Sequence, residues 1–580
     1  VRRPGEIIMR TSSFLSVPAA FAGCFAACSP ALAQERAEFR FRFHPPADTA
    51  SVEVRYPGCS GDVLELAMPA WKPGSYTVRD FGKNVAGLVA VAADGTELAT
   101  ESTGTNSWRI TTGGAADVTV RYELRLTPAA RGAPGFSLGK GLGQPRVVAP
   151  EPTDNAAGGD AAKQPTREEA DEEPPIRTWP AYGFEGPACW IYVPGKIGIP
   201  HTVSFDLPAE FGIATGMERV DGSTPTFRAP DYDVFADCPF HVGNFELLEF
   251  VVDEVDYEIV LSGFERDRND RSAMVDRYRR IVTAHHAMWG RPAFTRYVFL
   301  IGFPGGGGLE HLNSCDMGMM DLRGSEPGKP SVWDSLMSHE FFHAWNVKRL
   351  RPKALGPFDY SGPNRTKFLW LSEGVTSYFG DVLLVRAGVW EPEHFWLSAI
   401  GDEIRSLQAN PGRLKMSIAE ASWTVWDAPY MRRGRTAPDY YNKGMLLGLL
   451  LDIEIRDATD GKKSFDDVMR ALYAQCQSTG VGFEDADVQR ICEELTERSF
   501  ADFFAKYVEG TEELPYRDSL AKIGIRYTDG TETPSTTEGE AGDTEPATTP
   551  RRRPRARIRL EFDGEAGERA LALRKGIETR

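Results

Sequence analysis

His339-Glu340-Phe341-Phe342-His343 is the stretch on which the reading of this chain turns. On an α-helix, residues four apart lie about 40° apart in projection and roughly 6 Å apart along the axis, so both imidazoles can reach one metal ion. Glu340 is turned about 100° from His339, which suits a base over a metal-bound water rather than a third ligand. The chain has only nine histidines in 580 residues, so composition alone does not explain the pairing. Ser331 follows Pro330 as a fitting N-cap, and Trp333, Leu336, Met337, Phe341 and Trp345 supply an apolar face. The pair is therefore expected on a buried, rigid helix.

A zinc site of this kind needs a third protein ligand and one open position for water. In the HExxHxxGxxH pattern the glycine would fall at Asn346 and the third histidine at Arg349, which excludes that subclass. The expected ligand is Glu373 in Phe368-Leu369-Trp370-Leu371-Ser372-Glu373-Gly374, a carboxylate in an apolar, helix-forming run that would be costly to bury unpaired. Glu391, Glu393 and Glu403 are the alternatives, in more polar surroundings.

Two further stretches carry chemistry. Gly305-Gly306-Gly307-Gly308-Leu309-Glu310-His311 follows the apolar strand Tyr297–Ile301 but lacks the Lys and Ser/Thr of a phosphate loop. Beside a peptidase zinc it would be an edge strand, with Gly307 and Gly308 against substrate and Glu310 meeting a free amino group; a plain glycine turn with a solvated glutamate is the other reading. Tyr441, in Tyr440-Tyr441-Asn442-Lys443-Gly444 before a helix over Met445–Asp457, offers a phenol for an oxyanion, an effect worth ~3 kcal/mol when well placed. A packing tyrosine fits the local sequence equally. Gly135-Phe136-Ser137-Leu138-Gly139 matches the GxSxG elbow, but Pro134 before it and Gly141, Gly143 and Pro145 after it replace the strand and helix that the elbow requires.

The composition is that of a soluble globular chain, 41% hydrophobic, long enough for two to four domains. A net charge of -17 argues against nucleic acid or an anionic membrane surface as the main partner. Arg2, Arg3 and Arg10, an apolar stretch Phe14–Ala27 and then Ala31-Leu32-Ala33 are expected to be an export signal over residues 1–33, giving a periplasmic or secreted protein. Cys24 and Cys28 leave a lipid anchor as the minority reading. The remaining cysteines, Cys59, Cys189, Cys238, Cys315, Cys476 and Cys492, are even in number and fit either disulfides or buried thiols. After the signal, no apolar run is long enough to span a membrane.

Short alternating runs such as Ser51-Val52-Glu53-Val54-Arg55-Tyr56, punctuated by Gly and Pro, predict an all-β sandwich over residues 34–240. Strand patterns are also expected at Trp190-Ile191-Tyr192-Val193 and His201–Phe205. A disordered acidic insertion is expected over about 146–176. Residues 241–528 are the expected catalytic domain, mostly helical after a first strand pair, and 529–580 the expected low-complexity tail, with one weak strand signal at Ala556–Phe562.

Pro69-Ala70-Trp71-Lys72-Pro73-Gly74-Ser75-Tyr76, the GGLEH loop, HEFFHAWNVKRLRP, WLSEG and YNKG together resemble the glycyl aminopeptidase family, the sixty-first family of metallopeptidases, of gluzincin type. The resemblance spans most of residues 36–528. It implies an N-terminal β-sandwich followed by a thermolysin-like zinc-peptidase domain. It also implies one Zn2+ per chain held by His339, His343 and Glu373, with Glu340 as general base, Tyr441 stabilising the oxyanion and Glu310 recognising the substrate amine. The expected activity is removal of small N-terminal residues, Gly or Ala, from peptides with a free N-terminus. A zinc endopeptidase and a catalytically idle periplasmic peptide-binding protein are the rivals. Members of the family typically carry a PDZ domain after the catalytic domain, and the stretch expected here as tail is too short for a complete one.

Overall fold

The computed structural model describes residues 36–44, 49–59, 61–125, 181–263, 271–303, 305–319, 331–428, 433, 435–530 and 557–579. The signal-like residues 1–33, the GxSxG match and the acidic segment 146–176 lie outside them.

Period-two burial builds the N-terminal half. Ala37–Arg42, Thr49–Pro57, Asp117–Arg125 and Val85–Ala92 are successive antiparallel neighbours in an eight-stranded sheet, and His201–Asp206 joins Ala37–Arg42 in parallel. Phe39, Phe41, Val52, Val54, Val120 and Tyr122 alternate onto one buried face. A three-stranded sheet of Gly212–Thr215, Phe240–Gly243 and Ala181–Phe184 packs against it. The Phe41 ring lies 5.1 Å from Phe184 and 5.2 Å from Phe240 across the layers. Val63–Ala67, Ser107–Thr111 and Thr100–Gly104 form a third sheet contributing to the same core. Phe240–Gly243 still belongs to this sandwich and Phe245–Val252 opens the next sheet, so the structural break falls a few residues beyond 240.

One expected strand is absent. Trp190 caps a short helix, Gly186–Cys189, and Tyr192 makes only an isolated bridge to Ala67. The run is apolar because it fills the sandwich core: Trp190 is fully buried, and its carbonyl accepts from the Tyr232 hydroxyl at 2.6 Å.

The second half opens with a five-stranded sheet in the order Phe245–Val252, Val255–Ser262, Arg296–Gly302, Ser314–Gly318, Gly308–Glu310. The middle three strands are parallel, and the glycine-rich strand is an antiparallel edge. Arg271–Trp289 and Val332–Phe342 pack with this sheet in one core in which Tyr257, Phe299, Phe341 and Trp345 meet, with Trp289 stacked on Trp345 at 5.7 Å. Helices then dominate: Thr376–Arg386, Ile400–Ala409, Tyr440–Ala458, Phe465–Thr479 and Asp487–Thr496.

The expected tail is corrected at its far end. Arg557–Phe562 pairs antiparallel with Ile525–Gly530, and helix Glu568–Thr579 buries Leu573 and Ile577 against the catalytic body. Arg386 Nε donates to the Ile577 carbonyl at 2.9 Å and Trp396 Nε1 to Glu578 at 3.0 Å. Only Leu573 and Ile577 of these twelve residues are buried while Leu571 faces solvent, so the apolar pattern leaves little periodic signal and composition alone assigns the segment to a tail. All six described cysteines are free thiols. No helix among the described residues is long and apolar enough to cross a membrane.

Candidate metal centre

The HEFFH helix, Val332–Phe342, starts on a capping box in which Ser331 Oγ accepts from Trp333 N–H at 3.2 Å and Asp334 accepts from Ser331 N–H at 3.0 Å. Asp334 also pairs with buried Arg277, so the N-terminus is locked by charge as well as by its cap. At the other end His343 forms the C-cap, and the two imidazoles converge with their Nε2 atoms 3.0 Å apart.

Glu373 arrives from a π-helical turn, Trp370–Val375, that runs into helix Thr376–Arg386. Such turns recur at functional sites because they re-aim a side chain without ending the helix. Gly374 lies there against the backbone of Gly444 and the Tyr440 carbonyl, where a Cβ could not fit. That close crossing brings the first turn of Tyr440–Ala458 up to the site. Glu373 Oε2 is 3.2 Å from His343 Nε2 and 3.6 Å from His339 Nε2. Of the alternative carboxylates, Glu403 instead accepts from Asn442, and none of the three joins the cluster.

Both rings are oriented from behind. His343 Nδ1 donates to the Asn346 carbonyl at 2.6 Å, and Asn346 Nδ2 donates to Leu371 O and Thr376 Oγ1 at 2.9 and 3.0 Å, tying the histidine turn to the glutamate turn. Ser377 Oγ donates to the Glu373 carbonyl at 3.1 Å and is 3.2 Å from His339 Nδ1, from which it then accepts. With each Nδ1 committed to an acceptor behind the ring, each Nε2 is the nitrogen turned to the same point.

Three carboxylates surround that point. Glu310, Glu340 and Glu373 are 3%, 5% and 2% exposed, and ligand atoms of Glu310 and Glu340 lie within 4.8 Å of His343 and of one another. Burial would lower the pKa of His343, but Glu373 and Glu310 outweigh it and raise it to about 9. Burial would raise that of Glu373, but His343 and His339 hold it well below the carboxylate range. Two imidazoles that give up the Nε2 proton to a metal, and a carboxylate, with further negative charge beside them, match the donor set of a catalytic zinc site.

The remaining expected residues lie around this cluster. Gly307, at φ +75°, turns the chain into the edge strand and accepts from Gly318 N–H at 2.9 Å. Gly308 lies directly on the Glu340 carboxylate, where a Cβ would collide with it. Glu310 points inward, and among the described residues no hydrogen-bond donor reaches its Oε1. The Tyr441 ring lies 6.0 Å from that of His339, its N–H capped by Asp439 at 2.8 Å. Burial first, then the nearby Glu373, raises the pKa of the Tyr441 phenol well above 10, so it stays a donor at neutral pH.

One site residue has no signal in the catalytic motifs. Tyr76, from the N-terminal domain, donates its hydroxyl to Glu373 Oε1 at 3.2 Å. Only its place in the Pro69–Tyr76 stretch marks it in sequence.

The chain matches the M61 glycyl aminopeptidase family over residues 333–447 and the peptidase M61 N-terminal domain over 39–137 and 181–244. Among solved structures it is similar to an aminopeptidase N family protein from Idiomarina loihiensis, at 25% identity over 85% of this chain and 79% of that one, with a TM-score of 0.71. An M1 zinc metallopeptidase from Deinococcus radiodurans is more distant, at 12% identity over 83% and 95% of the two chains and a TM-score of 0.48. No curated protein sequence matches the chain.

Proposed function

Because the chain belongs to the M61 glycyl aminopeptidase family and is a zinc aminopeptidase by class, we propose that it removes small residues, Gly and Ala, from the free N-termini of peptides outside the cytoplasm. The observation that carries the exopeptidase reading is Glu310. Among the described residues no donor reaches its buried Oε1, and it stands on the edge strand beside Glu340 and His343. A buried carboxylate oxygen left without a donor is costly, and a substrate ammonium would satisfy it. An ammonium held there sits next to the first peptide bond and beyond reach of internal ones.

Zinc held by His339, His343 and Glu373 would supply the Lewis acid that polarises the scissile carbonyl and activates water. Glu340, pressed against Gly308, takes the proton from the attacking water and returns it to the leaving amine. The Tyr441 hydroxyl donates to the oxyanion as it forms. The backbone at Gly307 and Gly308, with no side chains of its own, leaves the substrate strand room to lie close to Glu340. The preference for Gly and Ala follows the family's description, and the export reading rests on residues 1–33.

The test is hydrolysis of Gly- and Ala-anilides beside N-acetylated peptides by wild type and Glu310→Ala. Turnover of free-amine substrates alone, with that bias collapsing in Glu310→Ala, is expected. Equal cleavage of blocked peptides by wild type would make the protein an endopeptidase.

A further inference from the structure

We propose that Tyr76 is a positioning residue for the metal-binding carboxylate, so that the N-terminal β-sandwich is a working part of the active centre and not only a neighbouring domain. The inference rests on the assignment of Glu373 as a zinc ligand. Glu373 is 2% exposed and turns Oε2 toward the two histidines. Its other oxygen, Oε1, accepts from the Tyr76 hydroxyl at 3.2 Å. A carboxylate with one oxygen committed to a donor cannot swing about its terminal torsion, so the oxygen facing the histidines stays where a cation needs it.

The loop that delivers Tyr76 is held from three sides. Lys72 Nζ pairs with Glu185 at 2.5 Å inside the sandwich, both side chains almost fully buried. Trp71 Nε1 donates to the Asp359 carbonyl at 2.8 Å, and Ala70 N–H to the Tyr360 carbonyl at 2.8 Å, both on the loop after the HEFFH helix. The Tyr76 ring packs edge-on against Trp426 at 6.0 Å. Between these anchors Gly74 adopts φ +81° and lies on Leu309 and on both oxygens of Glu310, a spot that admits no Cβ. One loop of the first domain therefore touches the metal-binding Glu373 and the amine-facing Glu310 of the second. A tyrosine serving only to fill space would need the ring alone; the hydroxyl is aimed at the one oxygen of Glu373 that the histidines do not use.

Tyr76→Phe removes that hydroxyl and keeps the ring against Trp426. Zinc affinity is measured by chelator competition on wild type and variant, with thermal unfolding of both metal-free proteins as the control for folding. Outer-shell partners of a metal ligand typically contribute 10–100-fold in affinity or activity. The expected result is zinc held about tenfold more weakly or worse, kcat lowered at saturating zinc with KM unchanged, and metal-free unfolding unaltered. Equal zinc affinity and equal kcat in the two proteins would overturn the proposal. A fall in metal-free stability with zinc affinity unchanged would overturn it as well, leaving Tyr76 a packing residue. Failure of wild type to bind zinc would instead remove the metal assignment on which the inference stands.

Discussion

Two buried charge clusters lie in the catalytic domain, and they are built on opposite principles. In the first, Arg386 pairs with Asp466 at 2.5 Å, Arg456 with Asp452 at 2.9 Å and with Asp466 at 3.6 Å, and Tyr378 donates to Asp452 at 2.7 Å. Each carboxylate there has a guanidinium. In the second, Glu310, Glu340 and Glu373 surround two imidazoles, and among the described residues no donor reaches Glu310 Oε1. The balanced cluster ties helices together. The unbalanced one is where we propose that added positive charge is held, a metal between the ligands and an ammonium at Glu310. A third arrangement makes the contrast sharper. Asp381 is buried with, among the described residues, only the Ser335 hydroxyl donating to it at 2.6 Å, and burial pushes its pKa up to about 7, so a proton takes the part of the cation.

The largest separation between the clusters comes from Glu340→Gln. Kinetics and metal analysis should show kcat falling by roughly 10²–10⁴-fold with zinc and fold kept, since a base is lost and no ligand is. Asp466→Ala should do the reverse: denaturant unfolding should show a loss of about 3–5 kcal/mol from the stranded guanidinium, with zinc affinity of the folded protein unchanged. Tyr441→Phe should cost ~3 kcal/mol in kcat with little change in KM, and an unchanged kcat would take the phenol out of the mechanism.

Asp381→Asn gives a change of slope with pH rather than a loss of activity or metal. A folded pKa of about 7 lies above the ordinary aspartate value of 3.8, so the folded state holds the proton more tightly. That contribution is intact below pH 3.8 and is lost as pH rises to about 7, at no more than about 1.4 kcal/mol per pH unit. The Asn variant should flatten this slope in unfolding experiments across that window; an unchanged slope would assign it to other groups.

How far the sequence announces this architecture depends on chain separation. His339 and His343, one helical turn apart, carry their own spacing signal, and Glu373 stands out as an acid in an apolar run. The strand–glycine pattern before Glu310 points to an edge strand, which is what forms. Tyr76 is different: its partner is 297 residues away, and nothing local ties a tyrosine in a Pro/Gly-rich loop to a glutamate in a helix. The π-helical turn at Trp370–Val375 likewise depends on the Gly374–Gly444 crossing, a contact between distant segments. Trp190–Val193 misleads because apolar residues filling a core look like those of a strand, and Glu568–Thr579 escapes because Leu573 and Ile577 are its only buried anchors.

On our proposal the charge-deficient cluster is a zinc site in which Glu340 is not a ligand. Zinc per chain, measured by elemental analysis on purified wild type and Glu340→Gln, tests it most directly. One zinc in each protein is the predicted result. No zinc in wild type, or zinc lost with Glu340, would contradict it.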